Sequence, residues 1–206
     1  MTRQELKEWS KNKMKGHMWK VLGAVVITGL ISGLTAEIDL KNEFLNFSIS
    51  FGFTLIGFII SNGLVEFMVN YINDKNYDYE MLFSKFGDWK RILLTYFHIY
   101  IRVFAWCLLL IVPGIIKAYS YSMVPYILQN DKDISPVDAL KLSEEIMNGH
   151  KMDLFILELS FIGWHLLAIP TLMILEVWII PYQQTALTKY MYDLKTNHKK
   201  NILKEA

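Results

Sequence analysis

An all-α bundle embedded in a bilayer is the architecture this sequence predicts, with about six membrane-spanning helices and amphipathic helices on the cytoplasmic face. Three observations carry that reading. Apolar runs recur along the chain, and a bilayer core takes about 20 such residues per crossing. Basic residues are confined to alternate connections. Hydrophobic residues make up 53% of the 206, yet charged residues still reach 20%, which suits apolar spans joined by water-facing segments.

The spans read off in order are Met18–Thr35, Phe47–Ile72, Ile92–Val112, Gly114–Leu128, Met152–Ile169 and Pro170–Tyr192. The first is taken as retained, because the long, mixed-charge segment before it is unlike the n-region of a cleaved leader. Of the 21 Lys and Arg residues, all but three precede span one, join spans two and three, join spans four and five, or lie late in and after span six. Lys41 alone falls on the other side, and Arg102 and Lys117 fall inside spans. Positive residues stay cytoplasmic, so the layout implies a multi-pass protein of the cell membrane with both termini in the cytoplasm.

Composition also excludes. A net charge of +1 gives no electrostatic footprint for nucleic acid. Cys107, the single cysteine, rules out an internal disulfide framework and a cysteine metal cluster. The five histidines show no HExxH or paired-ligand spacing, so no metal site is read. There is no GxSxG elbow, Walker loop or glycine-rich phosphate cradle. The chain is therefore read as non-enzymatic and without a cofactor. Its expected partners are the lipid bilayer and another membrane protein or a second copy of itself.

The cytoplasmic connections carry helix signals. Ser135 caps, Pro136 takes the first helical position, and Asp138 falls at capping-box distance. Val137, Leu140, Ile146 and Met147 follow at near-helical spacing, and Gly149 ends the run. Tyr79–Phe86 and Gln4–Met14 are similar. Such helices lie in the membrane interface or cap the bundle. Each ends at a glycine before an apolar run, at Gly16-His17, Gly87-Asp88 and Gly149-His150. Trp106, Pro113 and Pro125 are echoed by Trp164, Pro170 and Pro181. One integral membrane domain, 1–206, is thus read with a unit of interfacial helix and hairpin repeated over 1–72, 77–129 and 135–192.

Charges inside apolar spans are the candidate functional residues. A charge at the bilayer centre costs about 2.5 kcal/mol or more, so it faces the bundle interior and finds a partner. Arg102 and Glu158 share mid-span depth and form one expected pair. Lys117 and Glu176 follow the two outer turns, at Pro113-Gly114 and Pro170, and form a second. Glu66, His98, Tyr119 and Tyr121 would line the same polar interior. The alternative role for these groups is to fix helix register through ion pairs and hydrogen bonds.

The segments IVPGIIKAYSYSMVPYIL, DISPVDALKLSEEIMNGHKMDLF, LELSFIGWHLL and IIPYQQTAL resemble a bacterial integral membrane family known as domain of unknown function 975. The resemblance runs from Gly57 to Leu194 and implies a polytopic layout without soluble domains. It implies no activity. The function expected is that of a transporter or transport-accessory protein with an intramembrane charge network. The alternative is a scaffold or protection factor that binds a membrane protein, a membrane-active peptide or anionic lipid.

Overall fold

A computed structural model describes residues 1–33, 43–131 and 133–205, and no strand occurs among them. Lys41 and Lys132, both used in the charge count, lie outside the described residues. The helices are α1 (Arg3–Lys13), α2 (Met18–Gly33), α3 (Glu43–Ile72), a 3-10 segment (Tyr79–Asp88), α4 (Trp89–Leu109), α5 (Ile111–Ser120), α6 (Val124–Asn130), α7 (Pro136–Ile146), α8 (Lys151–Ala168), a short 3-10 turn (Ile169–Thr171) and α9 (Glu176–Glu205).

Three stretches are long and apolar enough to cross a bilayer: Glu43–Ile72, Tyr79–Leu108 and Lys151–Thr171. A fourth arises if α1 and α2, bent by 100° to one another, count as one broken crossing. The remaining expected spans map less evenly. Helix α2 has 16 residues, fewer than the about 20 of a full crossing. The stretch expected at Gly114–Leu128 is interrupted at 121–123. The stretch expected at Pro170–Tyr192 becomes helical only at Glu176 and then continues to Glu205.

Proline explains where these helices stop. A helical proline lacks the N–H that would serve the carbonyl four residues back, and its ring clashes with that carbonyl. Pro113 therefore ends α4 at Leu109, and Leu110 takes an extended conformation with φ −160° and ψ 142°. The turn lies at Leu110, not at Pro113-Gly114 as expected, because proline is tolerated in the first turn of the helix it starts. Pro125 likewise sits at the start of α6 and ends α5 before Tyr121. Pro181 is the exception, for α9 runs through it unbroken.

The α4–α5 hairpin is closed without an intervening layer of side chains. A Cβ on Gly114 would land within Cys107 Sγ and 3.1 Å from Cys107 Cα. Gly63 does the same work in the first half of the chain. There the 3-10 segment is laid on α3 so tightly that a Cβ would reach 2.6 Å from the Leu82 carbonyl carbon. The three-residue period of this segment turns Leu82 and Lys85 inward and leaves Phe83 and Phe86 exposed.

Burial is unevenly distributed along the helices. One core gathers Ile92 of α4, Tyr121, Met123, Val124 and Ile127 around α6, and Ala139, Leu140 and Ile146 of α7. A second joins Val21 and Ala24 of α2 to Ile60, Phe67 and Tyr71 of α3 and to Leu82. The hairpin tips are the opposite: Leu108 and Ile111 are 73% exposed and Leu172 is 86% exposed. Contiguous apolar surface of this kind marks a membrane or partner contact.

The expected amphipathic segments are caps built into these cores. Helix α7 buries Ala139, Leu140, Ser143 and Ile146, and Ser135 Oγ accepts from the Asp138 amide at 3.1 Å. Helix α1 starts with a complete capping box, Thr2 with Glu5. It bridges from α8, where Lys7 Nζ donates to the Ser160 carbonyl at 3.2 Å, to the end of α3, where Lys13 meets Asp74 at 2.5 Å. Gly16 and Gly149 follow α1 and α7 with φ of 86° and 81°, the left-handed region glycine enters without penalty. Gly87 does not share that conformation, and the 3-10 segment runs directly into α4.

The last part of α9 packs back on α6. Lys195 Nζ donates to the Tyr126 carbonyl. Burial, reinforced by Lys199, holds its ammonium down to about 8, from a usual 10.5, against the opposing pull of Asp131. The folded chain thus loses a proton at lower pH than the unfolded chain does. Stability gained from this group is fully present above the unfolded value and is lost as pH falls through about 8. The Tm in detergent is expected to rise from pH 8 toward 10, and Lys195→Met should flatten that rise. An unchanged slope in the variant would assign the pH dependence elsewhere.

Candidate functional site

The structure brings the expected site residues together in three groups, with different partners from those expected. Lys117, in the last turn of α5, meets Glu144 of α7 at 2.9 Å, not Glu176. Tyr121 lies beside the same carboxylate and beside Arg102 of α4, and Arg102 acts on Glu144 as well. Arg102 is therefore engaged with α7 and not with Glu158. The physical reason is the placement of α7. It packs against α4 and α6, so Glu144 rises to the level of Lys117. Ser143 Oγ fixes the same register by donating to the Ser120 carbonyl at 2.8 Å. Glu144 lies outside the apolar spans. Its desolvation is outweighed by hydrogen bonds from Lys117 and Tyr121, which hold its carboxyl below the usual range.

Glu176 opens α9 and takes His165 from the last turn of α8, with Nδ1 at 2.8 and 3.0 Å from the two carboxylate oxygens. The other ring nitrogen lies 2.7 Å from Gln183 Oε1. With acceptors on both sides, the ring satisfies both contacts as a donor only when doubly protonated. Sequence reasoning considered His165 for metal binding and missed this role. The signal was available: His165 and Glu176 lie close on either side of the Ile169–Thr171 turn.

Tyr119 and Glu158 form the third group. The Tyr119 hydroxyl donates to Glu158 Oε2 at 2.5 Å, which joins α5 to α8. Both residues line a cavity of about 330 Å³ together with Ser122, Tyr126 and Gln184. Its apolar wall includes Leu154 and Met191. Ser122 Oγ is turned to the Tyr119 carbonyl at 2.8 Å. Glu158 thus keeps one carboxylate oxygen beyond its tyrosine contact. A half-buried carboxylate among hydroxyls and an amide is a site for a cation or a proton.

Two expected lining residues stand apart from these groups. Glu66 accepts from Ser84 Oγ at 2.6 Å and pairs with Lys85 at 3.1 Å, which ties α3 to the 3-10 segment. His98 Nδ1 lies 2.7 Å from the Leu94 carbonyl of its own helix. Neither borders the Tyr119–Glu158 cavity.

The sequence model of a family described as a protein of unknown function, DUF975, matches residues 94–198, half of the chain. The chain belongs to the DUF975 family. No curated protein and no solved structure matches it. The DUF975 segment starts later than the Gly57 expected and runs on past Leu194. It holds all three groups: Arg102, Lys117, Tyr121 and Glu144; His165, Glu176 and Gln183; Tyr119 and Glu158. Helices α1–α3 and the Glu66–Lys85 pair precede it.

Proposed function

We propose that the chain is a non-enzymatic, multi-pass protein of the cell membrane that works in transport, as a transporter or as an accessory to one. The site is the Tyr119–Glu158 cavity, and its solute is a small cation or a proton carrier. One observation carries this reading: a carboxylate held by a tyrosine hydroxyl at 2.5 Å on the wall of a cavity of about 330 Å³. The pocket is open to the outside, so an ion or a proton can reach the carboxylate. The proposed layout has about six crossings and cytoplasmic termini. It is supported by the three long apolar stretches and by the one-sided basic residues. The Arg102–Lys117–Glu144 network, on this reading, holds the α5 wall of the cavity in register.

A strain lacking the protein, screened against ions, antimicrobial peptides and lipid stress, tests the site. The unaltered chain should restore the growth defect. Glu158→Gln should fail at equal membrane abundance, and Tyr119→Phe should restore it in part. Full restoration by Glu158→Gln would remove the cavity from the mechanism.

A second reading is favoured by the exposed rings of Phe83 and Phe86, 6.2 Å apart on the outward side of the 3-10 segment. They suit a scaffold or protection factor that holds another membrane protein, a membrane-active peptide or a second copy of this chain. The same strain separates the readings. The scaffold requires Glu158→Gln to restore growth and Phe83→Ser with Phe86→Ser to fail.

A further inference from the structure

The lysines of α1 and of the turn after it are unequally provided for. Lys7 has the Ser160 carbonyl and the face of Phe161, 4.5 Å from its centroid. Lys13 has Asp74. Lys11 and Lys15 have no acidic partner among the described residues, although Glu8 lies one turn back on the same helix. Lys11, in the last turn of α1, and Lys15, in the turn that follows, both line a groove of about 660 Å³ between the α1–α2 bend and the α8–α9 hairpin. Its other walls include Trp19, Trp164, Trp178 and Ile179, and no carboxylate lines it. The three tryptophans are 69%, 53% and 52% exposed.

An apolar groove disfavours free inorganic anions, and two cations on its lining favour an anionic head over a neutral or cationic one. Both conditions are met by an amphiphile with an anionic head and a hydrocarbon tail. Tryptophan, apolar over its rings and polar at its N–H, suits the boundary between the two parts. The chain's own candidate spans place it where such molecules are the solvent. We infer that this groove holds one acidic phospholipid of the bilayer, with its phosphodiester between Lys11 and Lys15 and an acyl chain along Trp164 and Trp178. The inference is independent of the Tyr119–Glu158 cavity, which lies among α5, α6, α8 and α9 and shares no lining residue with the groove.

Bromine on an acyl chain quenches tryptophan on contact. The full-length protein in detergent micelles should be titrated with brominated phosphatidylglycerol and, separately, with brominated phosphatidylcholine. The anionic lipid should quench at roughly thirtyfold lower concentration, the effect expected of two charges near the surface. Lys11→Gln with Lys15→Gln should bring the two lipids together. Lys199→Gln with Lys200→Gln should leave the preference intact. Trp164→Phe with Trp178→Phe should remove most of the saturable quench. Equal quenching by both lipids in the unaltered chain overturns the inference, leaving a hydrophobic slot open to a neutral lipid or an apolar peptide. An anionic preference that survives the Lys11 and Lys15 substitutions overturns it too, as does a saturable quench undiminished by loss of both tryptophans.

Discussion

Gly63→Ala is expected to unseat the 3-10 segment from α3 and to cost more stability than its single added methyl suggests. Overpacking a well-filled site costs roughly 1–3 kcal/mol, and the obstacle here cannot rotate away. The nearest atoms are the carbonyl oxygen, carbonyl carbon and Cα of Leu82, all backbone. Relief therefore requires the whole segment to lift, with Leu82 leaving a site where it is fully buried. Gly52→Ala on the same helix is the control, because nothing lies within 4 Å of its added Cβ. It should be neutral or slightly stabilising, since alanine is the better helix former by roughly 0.5–1 kcal/mol. Thermal unfolding in detergent measures both. Equal Tm values for the two variants would mean that Leu82 does not hold this position.

Glu66→Leu should be the second severe change, and a second substitution should repair it. Lys85 keeps only 9% of its side chain exposed, and Glu66 keeps 28%. Removing one partner of a buried pair leaves the other charged and unsatisfied, a loss of roughly 3–5 kcal/mol for full burial. The residual exposure of Glu66 places the expected loss toward the lower end. Ser84 Oγ would keep the Met81 carbonyl, 2.8 Å away, as its acceptor. Replacing the pair by apolar residues of similar size is often close to neutral, so Glu66→Leu with Lys85→Met should recover most of the lost Tm. A double variant as unstable as the single one would show that Lys85 is held by something other than this carboxylate. On this account Glu66 belongs to the docking of a cap, and its expected place in a polar lining gives way to a structural one.

Local chemistry was legible in the sequence, and long-range pairing was not. The Ser135 cap and the helix-ending glycines Gly16 and Gly149 depend on a few neighbouring residues, and the structure carries them, whereas Gly87 and Pro181 end no helix. The pairings Arg102–Glu158 and Lys117–Glu176 depended on depth counted along straight spans. The interruption at 121–123 and the inward packing of α7 both break that count. Lys117 with Glu144 and Ser120 with Ser143 meet although they stand at unequal distances from the connection at Asp131–Ser135, because α6 intervenes between α5 and that connection. Cys107 and Gly114, by contrast, lie close on either side of Leu110 and meet across a tight turn. Tyr119 and Glu158 are brought together by the intervening helices, and only the three-dimensional packing reveals their contact.

The contact of Gly114 with Cys107 has a mechanical consequence. With backbone against side chain at this point, any side chain larger than glycine's would force α4 and α5 apart beside their turn. The chain departs from the α-helix again at 121–123, where α5 gives way to α6. Tyr119 lies just before that interruption and Ser122 within it, and both line the cavity with Glu158. A wall of the carboxylate's cavity is thus set by how α5 is seated on α4 at one end and by how it turns into α6 at the other.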